Sequence, residues 1–161
     1  MNLLVVIKEK RNGKIKGRVV ADGSKQKSNV LREDATSPTI QLESLIISLL
    51  IDAKENRDVT VSDVVGVYLL AKMKDHVIMK LTGKAVDVFC SANEKYKKFL
   101  MMEKGRKVIY LRILRALYGC IQSALLWYNT FVEKLSKDGF TLNRYDPCVA
   151  NKMIDGSQCT I

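Results

Sequence analysis

The apolar pattern of residues 41–56 constrains the fold of this 161-residue chain more than any other segment. Large apolar side chains recur there at intervals of three and four residues, which is the period of an α-helix. The members of this stripe are Leu42, Leu45, Ile46, Leu49, Leu50 and Ala53, and Ile47 and Ile51 widen it. We therefore predict a nearly buried helix over residues 41–56.

Short apolar segments on both sides of this helix predict β-strands. Before it, residues 3–7 and 15–21 flank an Asn12-Gly13 turn signal, so we expect a basic β-hairpin. Residues 22–39 are polar and predict a loop that leads into the helix. After the helix, strands are predicted at residues 58–63, 77–81, 107–113, 140–142, 148–154 and 158–161.

A tight turn and two further helices complete the predicted elements. Residues 66–71 predict a turn or short helix, and residues 85–100 predict a helix that is interrupted by a polar middle. Residues 123–137 predict a helix that ends at Asp138-Gly139, where glycine has its usual capping position. This order predicts an α+β fold in which an antiparallel sheet is backed by helices.

Length and composition predict one intracellular globular domain. Apolar residues make up 47% of the chain, enough for one real core. No stretch approaches the roughly 20 apolar residues of a membrane span, and the first residues lack a secretory signal pattern, so we expect neither a membrane protein nor a secreted one. The four cysteines are scattered and His76 is the sole histidine, which argues against a structural zinc site.

The positive charge of the chain is concentrated in two segments. Residues 8–27 and residues 94–115 each contain eight basic residues against two acidic ones, and the formal net charge of the whole chain is +10. Such basic segments indicate a polyanionic partner, nucleic acid first, because phosphates supply the affinity. The alternative, two solvated charge-rich loops without a specific partner, stays open at this point.

Asp63 is an isolated carboxylate in the apolar run of residues 59–70. An ionised Asp with apolar neighbours needs a cation, a metal or several donors to replace its water. It could simply cap a turn, join His76 in a catalytic triad, or form half of a glycosidase pair. It could also hold magnesium, which fits the charge pattern of a protein that handles phosphates. Tyr68 follows five residues later, where a turn at Gly66 could bring its ring toward the same ligand.

Five segments between residues 14 and 148 carry a more specific signal. They are residues 14–26 (KIKGRVVADGSKQ), Ser37-Pro38, residues 61–70 (VSDVVGVYLL), residues 117–128 (LYGCIQSALLWY) and residues 139–148 (GFTLNRYDPC). In order and in spacing they resemble the successive blocks of copia-type retrotransposon reverse transcriptases. The resemblance departs at Ala124, where the family usually has proline, and at Ile121, where lysine is common.

This resemblance implies the fingers and partial palm of a right-hand polymerase that copies RNA into DNA with two magnesium ions. It implies that Asp63 is the first catalytic carboxylate and that the backbone carbonyl of Val64 helps to hold a metal. The ring of Tyr68 would lie beneath the incoming sugar and discriminate against a 2′-hydroxyl. The remaining nucleotide-binding residues that it implies are Lys16 and Arg18 around the triphosphate, and Tyr118, Gly119 and Gln122 against the nucleotide and template base.

The resemblance also implies how the chain is divided and what it lacks. Residues 1–57 would form the fingers hairpin and helix, and residues 58–161 the palm, with a fingers segment near 107–124. Residues 73–106 match the family only loosely. The family's second metal-binding element is a pair of adjacent aspartates, whereas the adjacent acids here are Glu33-Asp34, in a predicted loop. We therefore expect a single partial domain that is truncated before this pair and is inactive alone.

The implied partners are an RNA template, a DNA primer, deoxynucleoside triphosphates and Mg2+, together with the integrase and RNase H regions of a parent Pol polyprotein. The implied location is a cytoplasmic particle or the nucleus. An alternative from a different class is a non-catalytic nucleic-acid-binding relic of a transposable element, which keeps the basic hairpin and the sheet.

Overall fold

The computed structural model describes residues 1–26 and 30–161. Strands β1 (Leu3–Glu9) and β2 (Ile15–Ala21) form an antiparallel hairpin whose register runs from Leu3 opposite Ala21 to Glu9 opposite Ile15. The chain reverses at residues 10–14, where Lys10 donates its backbone N–H to the carbonyl of Lys14. The predicted hairpin is confirmed. Lys27 of the first basic segment lies outside the described residues.

The helix predicted at residues 41–56 is confirmed as α2 (Leu42–Glu55), but its predicted burial is wrong. No residue of α2 is buried, and Leu50 is 64% exposed. A three- and four-residue period reports which face of a helix is apolar, but it does not report whether another element covers that face. The preceding segment, predicted as a loop, contains a 3-10 turn at Gly23–Gln26 and the short helix α1 (Arg32–Ala35).

The main core lies under a three-stranded antiparallel sheet. Its strands are β3 (Ile78–Thr82), β4 (Met101–Glu103) and β5 (Arg106–Arg112), in the order β3-β5-β4. Helix α4 (Lys84–Ala92) and a 3-10 segment (Glu94–Phe99) follow β3 and confirm the predicted interrupted helix. Their core with the sheet includes the buried side chains of Ala21, Met79, Leu81, Val86, Ile109, Ile113 and Cys120.

The remaining elements confirm most of the predicted order. Helix α3 (Val67–Leu70) fits the predicted short turn, and α5 (Ser123–Lys137) has the bounds predicted for it. Strands β6 (Thr141–Leu142), β7 (Ala150–Ile154) and β8 (Ser157–Thr160) form a third antiparallel sheet. The mixed helix and antiparallel class is confirmed, with three small sheets in place of the single one expected. The division into fingers and palm stays a prediction.

The strand predicted at residues 58–63 is wrong. Residues 57–64 form neither helix nor strand, and Val61 is 97% exposed. Alternating β-branched residues favour extended backbone, but a strand also needs a neighbour to bond its N–H and C=O groups. Among the described helices, none combines the length and the apolar character that crossing a membrane requires.

Candidate nucleotide site

The hairpin carries its cations on one face. Side chains opposite each other in an antiparallel pair point to the same side, so Lys8 and Lys16 share a face with Val6 and Arg18, the next pair along. These residues line an open groove of about 520 Å3. The complete lining is Val6, Lys8, Glu9, Lys10, Arg11, Lys16 and Arg18, five cations with one carboxylate. Such a groove suits a polyphosphate.

The base of this hairpin is fixed to the loop before α5. Ala21 donates its backbone N–H to the carbonyl of Tyr118 at 2.7 Å. A Cβ atom added at Gly119 would overlap the carbonyl oxygen of Ala21 and lie 2.6 Å from Cγ1 of Val20. One added at Gly23 would overlap the carbonyl oxygen of Gly119. Both positions therefore require glycine, because the backbone at residues 20–23 closely approaches the backbone at Gly119.

This contact connects the basic face to the loop. The side chain of Val20 approaches Gly119, and Val20 lies on the same face of β2 as Lys16 and Arg18. Alternate residues of a strand are about 6.6 Å apart, so Arg18 begins one step from the Gly119 contact and Lys16 two steps from it. The cations and the loop predicted to hold a nucleotide therefore form one continuous surface.

Two predicted site residues from distant segments touch each other. The rings of Tyr68, in α3, and Tyr118 are 4.7 Å apart between centroids and meet edge to face at 65°. Gly66, with φ of 67°, begins α3 in a left-handed conformation and turns the chain sharply after the extended segment. Because Tyr118 is 44% exposed, the pair leaves an aromatic surface open to solvent. The predicted turn at Gly66 is confirmed.

Gln122 forms a side-chain hydrogen bond within the protein. Its side-chain amide donates to the carboxylate of Asp75 at 2.9 Å, and the neighbouring N–H of Ile121 donates to the side-chain oxygen of Gln26 at 3.1 Å. Ser123 donates its hydroxyl to the carbonyl of Leu117 at 2.6 Å. These bonds hold the loop of residues 117–123 in place. A contact between Gln122 and a template base stays a prediction.

Asp63 does not lie in the apolar surroundings that its sequence neighbours suggested. It is exposed in the extended segment, and within the described residues it forms no hydrogen bond or ion pair. Val61 and Val65 turn to solvent, at 97% and 90% exposure, so they do not dehydrate the carboxylate. The premise that apolar neighbours dehydrate Asp63 is therefore wrong, whereas binding of a cation by this carboxylate stays a prediction.

The oxygen donors present do not make a complete magnesium site. The Asp63 carboxylate and the Val64 carbonyl are donors of the kind that Mg2+ prefers, but the ion takes about six ligands in octahedral geometry. Over residues 1–26 and 30–161, no group of three or more His, Cys, Asp or Glu side chains is arranged to hold a metal. These two residues can supply part of a coordination sphere only.

Sequence reasoning missed the role of Asp146. This residue is 1% exposed, and its carboxylate accepts the backbone N–H groups of Gln41 at 2.8 Å and of Cys148 at 2.9 Å. These two bonds hold the pKa of Asp146 below its usual value. The Asp-Pro pair within residues 139–148 was the available signal, but its partner at the start of α2 lies 105 residues away.

Comparison with known proteins bears on most of the chain. The model of the family described as "Reverse transcriptase (RNA-dependent DNA polymerase)" matches residues 4–153. This range contains all five segments on which the resemblance was based, and it confirms that resemblance. No solved structure matches the chain.

Proposed function

The chain belongs to the reverse transcriptase family, and from this premise we propose that it forms the nucleotide-binding part of a copia-type retrotransposon RNA-directed DNA polymerase. One observation carries the proposal. Three segments from different parts of the chain, represented by Ala21, Tyr68 and the Tyr118-Gly119 pair, meet at one place. A nucleotide site needs such a junction, because cations must hold the phosphates while other groups orient the sugar and base.

In this proposal each segment contacts a different part of the incoming deoxynucleoside triphosphate. Lys16 and Arg18 bind its phosphates through charge-assisted hydrogen bonds. Tyr68 lies against the sugar and excludes a 2′-hydroxyl, and its orientation is supported by the ring of Tyr118. Tyr118 and Gly119 pack against the nucleotide, and Gln122 lies toward the template base.

The metal chemistry belongs to the complete polymerase. We propose that the Asp63 carboxylate and the Val64 carbonyl supply two of the oxygen ligands for Mg2+. When bound, that ion neutralises phosphate charge and aligns the reacting oxygens. Because the donor set here is incomplete, this chain is expected not to polymerise nucleotides alone. Its partners in the proposal are an RNA template, a DNA primer and the integrase and RNase H regions of the parent Pol polyprotein, within a cytoplasmic particle or the nucleus.

Nucleotide binding by the chain itself tests the proposal. We expect the double substitution Lys16→Gln, Arg18→Gln to weaken binding of fluorescein-labelled dUTP at least about tenfold, because two charge-assisted contacts are lost. The matched control is Lys84→Gln, Arg144→Gln, which removes the same charge from exposed positions elsewhere. Fluorescence anisotropy measures both. Equal weakening by the two variants would show that only overall charge matters.

A non-catalytic nucleic-acid-binding relic is the second candidate function. The observation that favours it is the exposed basic groove, which can bind phosphates without chemistry. Primer extension by the complete polymerase separates the two candidates. Extension by the unchanged protein that is lost in Asp63→Asn supports the enzyme, whereas a folded complete protein without extension supports the relic.

A further inference from the structure

The sheet β3-β5-β4 has two unlike faces. One face carries Met79, Leu81 and Ile109, which are buried in the main core. Strand alternation and the register, in which Lys80 lies opposite Tyr110 and Ile78 opposite Arg112, place these four side chains on the other face. We call this second side the outer face. It also carries Arg106, which lies opposite Glu103 in the strand register, and Val108, which is 1% exposed.

The outer face has two arginines without a charged partner. Arg106 and Arg112 are exposed, and within the described residues neither guanidinium group forms an ion pair or a hydrogen bond. The one carboxylate on this face, Glu103, is already paired with Lys80. The guanidinium groups therefore remain available to an anion from solution.

Between these arginines lies an aromatic ring that is held in a fixed position. Tyr110 is 41% exposed, and its hydroxyl donates to the Glu103 carboxylate at 2.6 Å. The ammonium of Lys80 lies over one face of the ring, 5.4 Å from its centre. Along β5, Arg112 follows Tyr110 by about 6.6 Å and Arg106 precedes it by about 13 Å.

We propose that the outer face binds single-stranded nucleic acid, with Tyr110 stacking on a base and Arg106 and Arg112 contacting phosphates. A single strand offers a free base face and a charged backbone. A partly exposed ring can stack on the base, and the cations beside it can contact the backbone. A duplex stacks its bases internally, so it can use the arginines but not the ring. The proposed function supplies the nucleic-acid partner, and the family resemblance gave no role to these three residues.

Equilibrium binding of a fluorescein-labelled 20-nucleotide oligo(dT) tests this surface. We expect Tyr110→Leu to weaken binding at least about fivefold, because stacking on one base is lost. Tyr110→Phe keeps the ring and should bind within about twofold of the unchanged protein. Arg106→Gln combined with Arg112→Gln should reduce the magnitude of the negative slope of log affinity against log salt by about 1.4, since each single-strand phosphate contact contributes about 0.7.

Photocrosslinking locates the contact. An oligonucleotide that contains 5-bromodeoxyuridine should crosslink to the tryptic peptide of residues 108–112, because trypsin cleaves after Lys107 and Arg112. Circular dichroism confirms that each variant is folded. If Tyr110→Leu does not fold, the Arg106→Gln, Arg112→Gln slope and the crosslink on the unchanged protein still decide the question.

Unchanged affinity in Tyr110→Leu, an unchanged salt slope in the arginine variant, or a crosslink confined to other peptides would overturn the proposal. The proposed function is judged separately by Lys16→Gln, Arg18→Gln. If that variant weakens dUTP binding while the outer-face variants leave oligo(dT) binding unchanged, the outer face is not a binding surface and the proposed function stands. The reverse result would remove the nucleotide site and keep the outer face.

Discussion

Gly119 shows how a single residue determines whether the hairpin can approach the loop before α5. We expect Gly119→Ala to destabilise the protein by about 2–4 kcal/mol, since a left-handed backbone costs 1–3 kcal/mol without glycine and a side chain here meets backbone atoms. Gly13→Ala is the matched control, because Gly13 also has a positive φ of 74° but faces open space. Urea unfolding measures both. Equal losses would mean that the backbone contact contributes nothing beyond conformation.

Substitution of Asp63 should affect activity without affecting stability. Because this carboxylate is exposed and has no partner within the described residues, Asp63→Asn should change the free energy of unfolding by less than about 0.5 kcal/mol. In the complete polymerase the same substitution should abolish primer extension. Substitution of the nearby exposed Asp58 by Asn provides the control for both measurements. A large loss of stability in Asp63→Asn would point to a structural role instead.

The rings of Tyr68 and Tyr118 can be tested as a pair. In a double-mutant cycle with Tyr68→Leu and Tyr118→Leu, we expect a coupling free energy of about 0.5–1.5 kcal/mol from the edge-to-face contact. Thermal or urea unfolding of the four proteins measures it. Additive losses would show that each ring packs independently and that Tyr118 does not support Tyr68.

At the scale of elements, the sequence pattern predicted the secondary structure of each segment more successfully than its tertiary contacts. The hairpin follows from its Asn-Gly turn, and α5 from its period and its glycine cap, because those signals lie within the element. The burial of α2 and a strand at residues 58–63 depended on neighbours, and the sequence carries no local record of them. The role of Asp146 was missed for the same reason, because its hydrogen-bond partner Gln41 lies 105 residues away.

Asp146 anchors the start of α2, and this anchor should depend on pH. Because two backbone N–H donors lower its pKa in the folded state, its contribution to stability is complete above the unfolded-state pKa of about 3.9. That contribution is lost as the pH falls through the lower folded-state pKa. We expect Asp146→Ala to destabilise the protein at neutral pH and to reduce the loss of stability on acidification. Urea unfolding between pH 7 and about pH 2 measures both effects, and parallel pH profiles would contradict the assignment.

At the scale of the whole molecule, the net charge of +10 acts through its distribution. The hairpin groove and the outer face lie on different sheets, so they can contact different parts of one nucleic acid. For a DNA duplex, the groove should contribute directly to the salt dependence, because its cations are proposed to contact phosphates. We expect the triple variant Lys8→Gln, Lys16→Gln, Arg18→Gln to reduce the magnitude of the negative slope of log affinity against log salt by up to about 2.7. Each duplex phosphate contact contributes about 0.9 to that magnitude.

The corresponding control removes three exposed cations elsewhere, at Lys54, Lys84 and Arg144, and leaves the net charge equal to that of the groove variant. If affinity follows net charge alone, the two triple variants will have the same slope. A smaller slope in the groove variant places the phosphates along the hairpin, since released counterions report contacts and not total charge. A flat salt dependence in the unchanged protein would exclude phosphate contacts from both basic segments.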